Sequence, residues 1–445
     1  MTVANQAKKI TIGLMPGGID GLVLADKYVG RGIGFKYLIP QNKEEANWAK
    51  KFLPHRDLIF YDLVNANLSM AKLDFSGIVK NSNLFKKIRL NKITHLLIHH
   101  AVDSDLEKWA NQNNLNLIAP NFQLAQKLEN KIWFNNFMAK NNLPTPMSEI
   151  WRPDAGKWLI KSKVVVQEPH SRGGEGTYFI NSLAEVKKLL RLKKIKSNKK
   201  YLVRQFIKGS SYGITIFINH NTIALSALRV QCYDGKNKWG QKEFRGVQWL
   251  GSRILSSQLR QKIDQVFYLL GKNLRQLGYV GYANIDFLIS NSKIYILECN
   301  PRFAASTAQL LLFPENISGI NTAKLYLDSL LFATKSKNFK FFGFPKSNFN
   351  GSTLYISTEA EKTSIKNYYP AGGYRLIGNK IRFVGPDLTR LNRQARSFIF
   401  YSDTQPGEVL KSATVVGLVI ANFPLYDSRG KLNKYGKMMI EYFRY

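Results

Sequence analysis

Cysteine is nearly missing from this chain: its 445 residues hold two, Cys232 and Cys299. Two thiols cannot build a disulfide scaffold or a Cys-rich zinc site, and their scarcity fits a reducing compartment. Long apolar runs are missing too. Nothing approaches the roughly 18 residues that span a bilayer, and the apolar stretch Ile10–Met15 is too short for the core of a signal peptide. A soluble cytoplasmic protein without a membrane partner is expected. Glycine (32) and proline (15) are not in excess, which excludes collagen-like and low-complexity chains. With 44% hydrophobic and 12% aromatic residues the chain is too rich in core-forming side chains for wholesale disorder. No internal repeat is present. The segment Met15-Pro16-Gly17-Gly18-Ile19-Asp20-Gly21 has the wrong spacing for a dinucleotide-binding glycine loop.

Acidic residues are the other shortage: 30 against 65 Lys and Arg, a formal charge of +35. Such an imbalance suggests a nucleic-acid or membrane-surface binder. Here, however, the basic excess recurs in every region of the chain. The one dense cluster, Lys187–Lys200, carries helical apolar spacing at Leu189, Leu190, Leu192 and Ile195. It fits a solvated amphipathic helix better than a polyanion patch. Nucleic acid is therefore not the expected partner. A general positive field also attracts phosphates and carboxylates.

At about 100–200 residues per domain, the length allows two to four domains. In residues 1–120, short apolar strands (Ile10–Met15, Phe35–Ile39, Asp57–Tyr61, His95–His99, Asn116–Ile118) alternate with helical patterns such as Lys43–Phe52 and Ser104–Gln112. That alternation predicts a parallel α/β domain. Helices over 122–142 lead into a mixed unit. It has strands at Lys163–Gln167, Thr177–Ile180, Tyr201–Ile207 and Tyr212–Ile218, with a helix at Leu183–Leu192. A helix over 257–277 precedes a hairpin over 280–300 that turns at Ser290-Asn291-Ser292, and another helix covers 321–333. Residues 341–445 read as a β-rich C-terminal domain. Residues 232–248, polar and glycine-bearing, read as a loop between lobes. The fold class is thus multidomain α/β and α+β.

Two stretches carry chemistry. In the first, strand Val164–Gln167 runs into Glu168-Pro169-His170-Ser171-Arg172-Gly173-Gly174-Glu175-Gly176-Thr177. Glycines let consecutive backbone N–H groups turn inward over a phosphate, although a ligand-free hairpin turn would look similar. In the second, Asn284 and Asp286 precede Glu298-Cys299-Asn300-Pro301-Arg302. A turn at Asn291 sets Asn284 opposite Glu298, with Asp286 a diagonal neighbour on the same face. Two carboxylates and an amide then converge, an oxygen donor set suited to Mg²⁺. Cys299 points the other way, as a small buried hydrophobe. The planar fork of Arg302 suits phosphate oxygens. His170, Arg229 and Arg245 are further candidates for gripping a substrate carboxylate.

A glycine-rich β-loop followed about 120 residues later by an Asp-bearing strand and Glu-Cys-Asn-Pro-Arg resembles the ATP-grasp superfamily, over about 120–330. The α/β unit before it is similar to the domain that precedes ATP-grasp domains. The β-rich tail resembles that of biotin-carboxylase-like and peptide-ligase members. The resemblance implies three domains, at 1–120, 121–340 (lid about 158–210) and 341–445. It implies ATP and Mg²⁺, or Mn²⁺, as cofactors. Lys131, Gln167, Gly173, Gly174, Gly176 and Thr177 would lie on the nucleotide phosphates. Gln205 and Ile207 would hold adenine through the backbone, and Ser211 would lie near the ribose. Asp286, Glu298 and Asn300 would bind the metal, and Arg302 would stabilise the transferring phosphoryl group. Four positions depart from the family pattern: Asn130 stands for an Asp, Gln167 for a lysine, Arg204 for a hinge glutamate and Ser211 for a ribose-binding glutamate.

The implied activity is a carboxylate–amine ligase that works through an acyl phosphate on amino acids or short peptides, with a homodimer among the assemblies open to it. The alternatives are a bicarbonate-using enzyme of the biotin-carboxylase type and a non-catalytic basic binding protein on the same scaffold.

Overall fold

The computed structural model describes residues 10–14, 19–28, 33–37, 51, 82–98, 102–153, 163–171, 176–236, 242–332, 338–358, 362–365, 367, 369–386, 395–402, 407, 409–411 and 415–444. The expected strand Asp57–Tyr61, nearly all of the helix Lys43–Phe52, and Gly173 and Gly174 lie outside them. Near the N-terminus, β1 (Ile10–Leu14), α1 (Ile19–Lys27), β2 (Ile33–Tyr37), α2 (Ser82–Leu90), β3 (His95–Leu97), α3 (Ser104–Gln112) and β4 (Asn116–Ile118) follow one another. The four strands form a parallel sheet in the order β2-β1-β3-β4, as the alternating pattern predicts. Consecutive residues Leu22, Val23, Leu24 and Ala25 of α1 are all fully buried, so this helix is enclosed rather than lying on a surface.

Two helices come next, α4 (Phe122–Glu129) and α5 (Lys131–Lys140). Asn121 and Asn130 cap them by accepting from Leu124 N and Trp133 N. A second, four-stranded sheet follows: β5 (Ser148–Trp151), β6 (Val164–Gln167), β7 (Thr177–Ile180), α6 (Leu183–Arg191) and β8 (Tyr201–Gln205) come in turn, with sheet order β5-β8-β6-β7. Val164, Val166, Ile180, Tyr201 and Val203 pack against Val186 and Ile195 on one face. Two-residue alternation therefore gives Val165, Gln167, Leu202 and Arg204 to the other face.

The centre is one extended sheet. Its first part comprises β9 (Ser210–Ile218), β10 (Thr222–Leu225), β11 (Leu228–Lys236), β12 (Lys242–Leu250), α7 (Ser257–Gln276), β13 (Gly281–Ser290) and β14 (Lys293–Asn300). After α8 (Thr307–Leu312), α9 (Pro314–Ile317) and α10 (Thr322–Leu331) come β15 (Lys340–Phe342), β16 (Ser352–Ser357), β17 (Lys362–Ser364), β18 (Gly372–Ile377), β19 (Lys380–Gly385), β20 (Ser397–Tyr401), β21 (Val409–Lys411), β22 (Val415–Ala421) and α11 (Lys434–Tyr442). The strand order is β14-β13-β9-β11-β12-β16-β22-β20-β18-β19, so the tail strands continue the central sheet through the β12–β16 pair. One face of β9 and β13 packs on Ile263, Phe267, Leu270 and Leu274 of α7. On the other face, Phe217, Tyr282 and Trp249 join a core with α1 and α8 to α10.

Residues 232–248 correct the loop expectation. Cys232–Lys236 and Lys242–Gln248 are arms of the β11–β12 pair, because Cys232, Val247 and Trp249 have buried positions to fill. Gly246 adopts φ +146°, and a Cβ there would collide with the Thr353 carbonyl and stand 2.6 Å from Tyr426 Oη. Gly246→Ala should therefore lower stability by about 2 kcal/mol, read as a fall in Tm by calorimetry.

Candidate active site

The acidic residues sit on the β13–β14 hairpin, whose turn places Asn291 and Ser292 at φ 47° and 58°. On β13, Ala283, Ile285 and Phe287 enter the core under α7, which leaves Asn284 and Asp286 facing the other way. On β14 the alternation cannot run uninterrupted. Ile294 and Ile296 are core residues, and unbroken alternation would bury Glu298 and Asn300 with them. A bulge resolves the conflict: Asp286 pairs with Glu298 but Phe287 pairs with Ile296, so Leu297 is the extra residue. Past it the core residue is Cys299, and Glu298 and Asn300 share a face with Asn284 and Asp286. The expected register is corrected accordingly. Asn284 stands opposite Asn300, and Asp286 stands directly across from Glu298.

The two carboxyls hydrogen-bond each other, and one proton serves both. Burial and the negative charge of Glu298 push Asp286 up to about 8. Burial also works against ionised Glu298, but Lys131, the hydrogen bond from Asp286 and Arg204 outweigh it and hold this carboxyl below its ordinary range. Gln231 Nε2 lies 3.4 Å from Asp286 Oδ2. The Asn300 side chain has no partner among the described residues.

Cations enclose this pair. Lys131, the first residue of α5, is buried, and its Nζ lies 3.1 Å from Glu298 Oε2. The same Nζ donates to the Ser171 carbonyl (2.9 Å) and Oγ (3.2 Å), tying α5 to the start of the glycine turn. Arg204 is 2% exposed, and burial lowers it to about 10. It donates to Gln167 Oε1 at 3.1 Å, while its Nε has no acceptor. Gln167 and Arg204, two of the positions noted as departures, thus touch each other, and the positive charge of the pair lies on β8. Arg229, lowered to about 10 by burial, donates to Thr215 Oγ1 (2.9 Å) and Asn284 Oδ1 (3.2 Å). Asn284 in turn donates to the Arg302 carbonyl at 2.6 Å. Arg302 pairs through Nε with Glu129 Oε1 at 2.9 Å. Glu129 is not a candidate from the sequence, since only its pairing with Arg302 reveals it, and Arg204 stands there only as a departure at the hinge, its contact with Gln167 being visible in the structure alone.

Gly176, at φ +63°, closes the turn; a Cβ there would stand 2.9 Å from Glu168 Cγ. Thr177 pairs with Gln167 across the strands. His170 Nε2 lies 2.9 Å from Asn130 Nδ2, at the cap of α5. Gln205 N donates to the Met147 carbonyl, and Ile207 follows just beyond β8. Ser211 is exposed on β9 opposite Leu288. Arg245 lies on β12, and its carbonyl accepts from Tyr426 Oη.

Among the described residues no group of three or more His, Cys, Asp and Glu side chains could hold a metal. The donor set is two carboxylates and one amide, and it fits a hard divalent cation that draws its other oxygens from a phosphate.

Residues 128–306 match the ATP-grasp domain family. Over 222 residues, 48% of this chain, the sequence is 20% identical to the arginine-specific carbamoyl phosphate synthase large chain of Geobacillus stearothermophilus. The match spans 20% of that relative's length. The biotin carboxylase domain of 2-oxoglutarate carboxylase from Hydrogenobacter thermophilus, solved with MgADP and bicarbonate, superposes with a TM-score of 0.64 at 12% identity. That alignment covers 93% of this chain and 86% of the other. An N5-carboxyaminoimidazole ribonucleotide synthetase bound to ADP gives a TM-score of 0.57 at 14% identity over 94% of this chain and 93% of the other. At such identities the structural likeness establishes the fold, including the α/β unit in front and the β-rich tail behind. Residues 128–306 are thus an ATP-grasp domain, set in a chain whose fold is like that of the biotin carboxylase domain.

Proposed function

We propose that this protein is an ATP-dependent, ADP-forming ligase that activates a carboxylate as its acyl phosphate and passes the acyl group to an amine, acting on amino acids or short peptides in the cytoplasm. Among the described residues no helix is long and apolar enough to cross a membrane. The observation that carries the proposal is the Asp286–Glu298–Asn300 oxygen set facing Lys131 and Arg204 beside the glycine turn. In this reading residues 1–120, 121–340 and 341–445 are the three domains, and Asp286, Glu298 and Asn300 hold Mg²⁺. The ion, when bound, neutralises charge on the β- and γ-phosphates.

The chain's own residues do the rest. Lys131 turns its ammonium from Glu298 and Ser171 to the phosphates. Arg204 supplies the charge that Gln167 lacks. Arg302, held by Glu129, faces the γ-phosphoryl as it moves in line to a substrate carboxylate oxygen, breaking its bond to ADP. The amine then attacks the acyl carbon, phosphate leaves, and the amine gives up a proton. Gly173, Gly174 and Gly176 close over the phosphates to keep water from the acyl phosphate.

The test is ADP release from Mg-ATP with pooled amino acids and, separately, with bicarbonate. Stimulation by amino acids supports the ligase. Stimulation by bicarbonate alone favours the second reading, a carboxylating enzyme, which the full-length fold likeness to a biotin carboxylase domain supports. The shared proton adds a pH prediction. Asp286, pushed up to about 8, is protonated at pH 7 and must ionise to take a metal. Mn²⁺ affinity should rise by about tenfold per pH unit and level off above about 8. Binding at pH 7 should release close to one proton, measured by titration calorimetry in buffers of different ionisation enthalpy.

A further inference from the structure

Arg302 stands where the sheet no longer holds the chain. β14 ends at Asn300, and beyond it hydrogen bonds outside the ladder fix the backbone of Arg302. Its N–H donates to the Asn300 carbonyl at 2.9 Å, and its own carbonyl accepts from Asn284 Nδ2 at 2.6 Å. The second bond depends on which way the Asn284 amide faces. Thr215 Oγ1 donates to Asn284 Oδ1 at 2.7 Å. Arg229 donates to the same oxygen through Nη2 at 3.2 Å and to Thr215 Oγ1 through Nη1 at 2.9 Å. A guanidinium has donors and no acceptor. Arg229 therefore makes Thr215 Oγ1 an acceptor, the Thr215 proton goes to Asn284, and only the amide oxygen can meet two donors. The Asn284 NH₂ is left facing Arg302.

Arg229 reaches this position across a neighbouring strand. The order β13-β9-β11 puts two inter-strand steps, about 4.8 Å each, between Asn284 and Arg229. Gly213 on β9 is the register partner of both Arg229 and Asp286. A Cβ on Gly213 would stand 2.9 Å from Arg229 Cζ and 3.0 Å from Nε, so the guanidinium lies directly over this glycine. Trp249, opposite Arg229 on β12 and fully buried, has its ring centroid 5.8 Å from Cζ. Arg229, Thr215 and Asn284 are 4%, 3% and 2% exposed. A guanidinium this buried is committed to its two partners rather than open to a substrate, and breaking the set leaves unpaired polar groups inside the protein.

Resting on the ligase reading above, we propose that Arg229 is a positioning residue for Arg302. Seated over Gly213, it and Thr215 lock the Asn284 amide. Asn284 in turn fixes the segment from which the Arg302 guanidinium, paired with Glu129, faces the transferring phosphoryl group. Arg302 serves the transfer, so the relay acts on kcat and leaves nucleotide affinity alone.

The experiment follows ADP release from saturating Mg-ATP, with and without pooled amino acids, and MgADP affinity by calorimetry, all on the full chain. Thr215→Val keeps the shape and the Arg229 charge but removes the hydroxyl. Gly213→Ala removes no polar group and pushes the guanidinium, the far end of a flexible side chain, off its seat. Each should lower kcat by about tenfold or more, because small misplacements slow a transfer steeply, with MgADP affinity within about twofold of wild type. Thr215→Ser, which keeps the hydroxyl, should retain most of the wild-type rate. In an Arg302→Met background neither change should lower the rate further, because residues that act through one group are not additive. Wild-type kcat in both variants, a parallel loss of MgADP binding, a serine variant as slow as the valine one, or full additivity with Arg302→Met would each overturn the relay. Should Thr215→Val fail to fold, Gly213→Ala carries the test by itself. No ADP release from wild type, or an unchanged rate in Arg302→Met, sinks the ligase reading and the relay with it. A deficit in Arg302→Met without one in the relay variants sinks only the relay.

Discussion

Glu298→Gln should reduce ADP-forming turnover by about 10³-fold or more while shifting the melting temperature by only a few degrees. Glutamine keeps the volume and the β14 backbone, so the bulge and the pairing with Asp286 persist. What is lost is the one carboxyl in the cluster held ionised, the acceptor of both the Asp286 proton and the Lys131 ammonium. The amide cannot replace an anionic metal ligand, and Lys131 would lose its only carboxylate partner among the described residues. The ammonium keeps the Ser171 carbonyl and hydroxyl, which limits the damage to stability. A steady-state assay of ADP release at saturating Mg²⁺, paired with calorimetric unfolding, checks both halves. A variant with normal activity and an ordinary Mg²⁺ dependence would refute the assignment of the site.

The hairpin was legible in the sequence because each of its parts is local. Alternating apolar residues marked the strands, Ser290-Asn291-Ser292 marked the turn, and the acids stood out against them. Its register was not legible, since simple counting from the turn assumes no bulge. The clue was the change of apolar phase between Ile296 and Cys299, which only a bulge can reconcile with one buried face. Contacts between distant segments were beyond reach. Arg204 and Gln167 are 37 residues apart and Arg302 and Glu129 are 173 apart, and no spacing rule links either pair. Taken singly, Gln167 and Arg204 are two departures from the family pattern; side by side they keep one cation on the face of β6 and β8 turned from their core.

Lys131→Met should move metal and nucleotide binding in opposite directions. Methionine fills the space of the lysine stem with little strain, so the Pro169–Lys131 backbone contact at the start of α5 should survive. Removing the ammonium takes away the main influence opposing burial of ionised Glu298. The carboxyl pair then lacks its nearest counter-charge, and a divalent cation no longer competes with Nζ at 3.1 Å. Lys131 also holds Asp286 down, so in the variant this carboxyl moves above its wild-type value of about 8. Well above that pH, where both carboxyls are ionised, Mn²⁺ alone should bind several-fold tighter. MgADP should bind about 10–100-fold more weakly, because a charge-assisted contact to phosphate contributes on the order of 1.5–3 kcal/mol. Turnover should fall by about 10²–10³-fold, since the contact acts on the phosphates throughout the transfer. A purely structural lysine would weaken both ligands together through loss of order in the site. Opposite signs from titrations of the same variant therefore distinguish an ammonium that alternates between Glu298 and phosphate from one that only fastens α5 to the glycine turn.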